Sequence, residues 1–238
     1  MRTRYAAVLA LTLVMPCAHA AVEDWLKDQL NKHADAHAGL DAGTAAAGLR
    51  EALEHGTARA VGTLGRVDGF WSHPTLRIPM PEKLEKMEKV LRRLGQDKLA
   101  DDFVRSLNRA AEAATPAARD IFVGAIRNMS IQDALAILKG PPDAATQYFR
   151  QHTGAPLTAA FLPIVARSTE AVGATAHYKK LVKKAAPLGL FDARELDLDD
   201  YVTRKTLDGV FALVAQEEKR IREDPVARTT DLLRKVFR

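Results

Sequence analysis

The sequence holds one cysteine, Cys17, among 238 residues, and only 6% of its side chains are aromatic. A single thiol excludes an internal disulfide framework, so stability has to come from a buried core, for which a chain of this length is ample. Catalytic signatures are missing as well. There is no Gly-x-Ser-x-Gly elbow, no glycine-rich phosphate loop at a strand-to-helix junction and no His-Glu-x-x-His pair. Nucleophilic, phosphoryl-transfer and zinc-peptidase chemistry are therefore left without their usual frameworks. Excess charge is scarce too: 35 basic against 30 acidic residues gives a formal net charge of +5, too small a surplus to argue for a nucleic-acid partner.

The most apolar run, Ala6 to Val14, falls well short of the roughly 20 residues a membrane-spanning helix needs. With Arg2 and Arg4 before it and Ala18-His19-Ala20 after it, the run reads as a secretory signal peptide over residues 1–20. Pro16 before Cys17 is a poor match to a lipoprotein site, so simple cleavage after Ala20 is expected. The mature chain, residues 21–238, is then cysteine-free, and losing Arg2 and Arg4 takes the formal charge from +5 to +3. The expectation is a soluble periplasmic protein with no transmembrane segment in the mature chain.

What the sequence does have is helical periodicity. Asp199 to Asp224 reads as one long helix, with Val202, Thr206, Leu207, Val210, Leu213, Val214 and Ile221 on one broad stripe. Glu217 falls inside that stripe with Glu218 on its shoulder, and a carboxylate there must be paired or reach solvent. Mid-helix Gly209 implies another backbone packed close, or a kink. Helices are also expected over Ala21–Ala38, from Ala45 after a Thr44 cap, over Glu82–Leu94 and over Lys98–Ala114. Two more follow, one opened by Thr115-Pro116 and one by a Ser130 to Asp133 capping box. Asp143 opens a helix that Gly154-Ala-Pro156 is expected to end. Leu157 to Val172 then forms another, kinked at Pro163. Residues 65–81 carry Pro74, Pro79 and Pro81 and read as a proline-rich extended loop, whose Phe70 and Trp71 must fold back on the helices. The fold class is all-α: an irregular multi-helix bundle in a single domain over 21–238, with a sub-bundle boundary expected near 140–142.

Taken together, Ile78-Pro-Met-Pro81, Leu107-Asn-Arg-Ala-Ala-Glu112, Thr146-Gln-Tyr-Phe149, Tyr201-Val-Thr203, Leu207-Asp-Gly209, Glu217-Glu218 with Ile221-Arg222, and Arg228-Thr-Thr-Asp-Leu-Leu233 resemble the bacterial domain-of-unknown-function 4197 family. The resemblance spans roughly Gly48 to the C-terminus. It implies exported helical proteins and carries over no catalytic residue.

The polar residues singled out are Asn108, Arg109, Glu112, Tyr148, Glu217, Arg222 and Arg228. They are expected to form a buried polar network or ligand-binding site, with Glu217 or Glu112 held by one of the arginines and Asn108 and Tyr148 completing the hydrogen bonds. His33 and His37 stand one helical turn apart, a metal-compatible spacing without a third ligand, and no metal or other cofactor is expected. Glu51, Glu54 and His55 read as a charged face. The function expected is non-enzymatic binding of an apolar or amphipathic, lipid-like ligand, or of an envelope protein partner, in a groove between helices. The alternatives are a hydrolase or metal-dependent enzyme using buried carboxylates, and a helical scaffold whose only role is partner contact.

Overall fold

The computed structural model describes residues 41–185, 197–224 and 231–236. The signal segment, the His33/His37 pair and Arg228 lie outside the described residues. Asp41 opens the first helix, α1 (Ala42–Leu64), by accepting the N–H groups of Gly43 and Thr44. The cap therefore falls on Asp41, three residues before the expected Thr44, because its carboxylate reaches two of the free amides of the first turn. A short 3-10 turn over Glu82–Leu84 leads into α2 (Glu85–Arg93), and Gly95 closes it with φ of 69°, a left-handed conformation that suits glycine.

α3 (Asp97–Ala114) does not stop for a Thr115 cap. Thr115 is buried, its hydroxyl donates back to Ala111 C=O at 2.8 Å, and a 3-10 turn over Thr115–Ala117 carries the chain into α4 (Ala118–Asn128). Ser130 and Asp133 form the expected capping box at the start of α5 (Ile131–Lys139).

α6 (Ala144–Ala171) corrects the expectation of two helices: it runs unbroken through Pro156 and Pro163. Its inward stripe, Phe149, Thr153, Leu157, Phe161, Val165 and Thr169, is buried at every fourth residue, whereas both prolines lie on the exposed side. The carbonyls that lose a partner, four residues before each proline, belong to the exposed His152 and Ala159 and can be hydrated. Continuous burial on one face outweighs two missing bonds on the other. α7 (Ala174–Ala185) follows. α8 (Leu198–Glu223) opens with the Asp197 carboxylate accepting the N–H of Asp200, and α9 (Asp231–Val236) ends the described chain.

The fold is all-α, with no strand among the described residues. α6 and α8 pack along each other, α8 also lies against α1, and α3 crosses α6. Two hydrogen bonds fix the direction of the central pair. Glu218, late in α8, reaches Thr146 at the start of α6, while Thr169, late in α6, donates to Asp199 at the start of α8. The two helices are antiparallel. Phe122 stands edge-on to both Phe149 and Phe211, with centroids 5.1 and 6.2 Å apart, and seals the core between α4, α6 and α8. No single helix among the described residues is long and apolar enough to cross a membrane.

Candidate functional site

Two buried carboxylates are consumed by backbone amides. On α3, Glu112 accepts from the N–H groups of Phe70 and Trp71 at 3.1 Å each and of Asp68 at 3.2 Å, and from Arg109 at 2.6 Å. The other arm of Arg109 donates to Asp68 at 2.7 Å, and Asp68 adopts φ of 64°, a strained backbone that such a clasp can hold. One turn earlier Asn108 pairs with Ile78: its Oδ1 accepts the Ile78 N–H and its Nδ2 donates to the Ile78 C=O, both at 2.8 Å. Asn108 and Glu112 thus stitch the 65–81 loop to the bundle, and Phe70 is driven into the core. A Cβ on Gly209 would stand 2.5 Å from Cε1 of Phe70, which is why α8 carries glycine there.

The second carboxylate is Glu218. It accepts the N–H groups of Ala145 and Thr146 at 3.0 and 2.9 Å, the Thr146 hydroxyl at 2.9 Å, and Arg222 from its own helix. Asp143 makes no side-chain cap; α6 is capped from α8, whose negative side chain suits the positive end of a helix. Arg222 continues to the carbonyl of Ile137 at 2.9 Å.

Glu217 sits apart from both clusters. Arg59 of α1 and Arg220 approach its Oε2 at 3.2 Å each. Burial raises the Glu217 carboxyl above its ordinary range, and Arg59 pulls it only part of the way back. The expected network therefore divides. Asn108, Arg109 and Glu112 come together at the loop; Arg222 holds Glu218; and the guanidinium groups beside Glu217 belong to Arg59 and Arg220, neither of which stood among the expected residues. Tyr148 joins none of these groups: its ring stacks on His152 with centroids 4.0 Å apart. No cluster of metal-ligating side chains occurs among the described residues.

The open space lies elsewhere. A groove of about 640 Å³ runs where Pro79–Glu85 meets α6 and α8. Its floor is Met80, Leu207 and Phe211. One wall is a stripe of α6 at four-residue spacing, Arg150, Gly154 and Thr158. The Arg150 guanidinium lies 4.7 Å from the Phe211 ring centre. Tyr201 closes the other end: its hydroxyl donates to Pro79 C=O at 3.1 Å, and burial, with Glu82 adding to it, pushes it up to about 12. Tyr201 is thus a hydrogen-bond donor and a wall rather than a base. A Cβ on Gly154 would meet nothing within 4 Å.

A family model described as "Protein of unknown function (DUF4197)" matches residues 39–238. The chain belongs to this family. Neither a curated protein nor a solved structure matches it.

In this DUF4197 chain the groove residues Arg150, Gly154 and Thr158 escaped the sequence reading, because a helix broken at Gly154 would have separated them. The available signal was their four-residue spacing opposite Tyr201, Leu207 and Phe211 on the neighbouring helix.

Proposed function

We propose that this DUF4197 protein is a non-enzymatic binding protein of the cell envelope. On this reading residues 1–20 are removed on export, and the groove beside Tyr201 takes an amphipathic ligand. The observation that carries the reading is the groove itself. Its volume of about 640 Å³ lies within the range of small-ligand sites, and it combines an apolar floor with charged rims as such sites do. Gly154 adds support. A Cβ there would meet no neighbouring atom within 4 Å, so the missing side chain keeps the groove open between Arg150 and Thr158.

The carboxylates favour binding over catalysis. Glu112 and Glu218 are each occupied by three donors besides an arginine, and neither lines the groove. Glu217, whose carboxyl burial raises, does not line the groove.

Titration of the purified mature protein with the amphipathic dye anilinonaphthalene sulfonate tests the reading. Saturable fluorescence is expected, and Gly154→Leu should abolish it while the melting temperature holds or rises. Dye binding that survives Gly154→Leu, or no binding by the wild type, overturns it.

A further inference from the structure

Charges of both signs line the groove: Glu82, Lys83, Glu85, Arg204 and Lys205 toward Tyr201, and Arg150 at Phe211. Arg150 marks one end, over Phe211, and Glu82 the other, three residues beyond the Pro79 carbonyl that Tyr201 holds. Tyr201 and Phe211 are ten residues apart on α8, about 15 Å along a helix.

Of the five other charged residues that line it, two stand in ion pairs and Lys83 is engaged as well. Arg204 pairs with Asp200 at 2.9 Å and Glu85 with Lys89 at 3.9 Å. Among the described residues neither Arg150 nor Glu82 has an ion-pair partner. Lys205 and Asp208 sit between them on the same rim, three residues apart and of opposite sign, one offering donors and the other acceptors.

We propose that the groove takes a short apolar peptide with free termini, its carboxylate at Arg150 and its amino group at Glu82. The length follows from the span: about 15 Å at 3.3–3.6 Å per extended residue is roughly four to five residues. A fatty acid or a lysolipid has no second charge at that distance, and a zwitterionic headgroup carries both charges within a few bonds. A peptide also matches Lys205 and Asp208, which can meet its backbone carbonyls and amides midway, while its side chains lie on Met80, Leu207 and Phe211. Free-terminus capture by charged or backbone groups is an established recognition mode.

This inference rests on the groove reading, and its test separates the two. Calorimetric titration of the mature protein with Leu- and Phe-rich tetra- and pentapeptides compares free, C-amidated and N-acetylated forms. Amidation should weaken binding about 1.5- to fivefold, as expected for a partly exposed charge pair. Arg150→Gln should remove the difference between free and amidated peptide; Glu82→Gln should do the same for acetylation. Dodecanoate and a lysophosphatidylcholine serve as the other arms. Binding that ignores both blocking groups, or that favours dodecanoate or the lysolipid, overturns the peptide assignment while the groove stands. If peptides, lipids and dye all fail to bind, the groove reading falls with it.

Discussion

Asn108 holds both backbone polar groups of Ile78, accepting its N–H and donating to its C=O at 2.8 Å each. A side-chain amide here does the work of a neighbouring strand, satisfying an extended segment that has no sheet to join. Its second amide hydrogen goes to Val104 C=O at 2.8 Å, so every part of the group is used.

Asn108→Ala should therefore lower stability by about 2–4 kcal/mol, since it strands buried backbone groups rather than merely removing a contact. Asn108→Asp should be no milder, because it turns an oxygen toward two carbonyls. Urea denaturation measures the loss, and hydrogen exchange at the Ile78 amide should speed up first. A midpoint unchanged from wild type would count against this account.

Glu218→Ala removes the cap of α6 and leaves Arg222 without its carboxylate. Breaking a buried pair from one side costs about 3–5 kcal/mol. The loss should show as weakened amide protection at Ala145 and Thr146, whereas the loop held by Glu112 stays protected.

Gly209 and Gly154, both inside helices, separate by sign. Gly209→Ala forces its Cβ against the Phe70 ring; overpacking of about 1–3 kcal/mol should exceed the roughly 1 kcal/mol gained in helix propensity. Gly154→Ala meets no atom and should raise stability by about 0.5–1 kcal/mol. Thermal melts of both variants settle the contrast; a stabilised Gly209→Ala would refute the Phe70 contact.

Glu217 sets a pH dependence. Its folded carboxyl is raised above the ordinary 4.5, so between that value and the raised one the folded state keeps a proton that the unfolded chain has released. Stability then falls as pH rises through this window and levels off above it. Glu217→Gln should flatten that part of the profile. A wild type that gains on the variant as pH rises from mildly acidic to neutral would show the opposite sign.

Much of the architecture was legible because it rests on local signals. The α8 stripe, the Ser130 box, Gly95 as a stop and the inward Phe70 all follow from periodicity, capping and the cost of exposing an aromatic ring. Asn108 and Glu112 were legible as polar residues one turn apart on the flank of an apolar face. Their partners were not, since these are backbone amides 30 to 44 residues away, and every residue type has one. The unbroken α6 was hidden because proline's local penalty is written in the sequence, while the burial that outweighs it depends on what packs on the other side. Glu217 outranked Glu218 on the helical wheel for a related reason: the wheel registers the α8 stripe and not the start of α6.

The position of Phe70 has a thermodynamic corollary. Its ring fills the notch above Gly209 while its own amide is fastened to Glu112. Releasing the loop would therefore open a void in the centre of the molecule and strip a carboxylate of its donors in the same motion. No half-detached form of low energy is available, and loop and helices should melt as one all-or-none unit, with calorimetric and van't Hoff enthalpies in agreement.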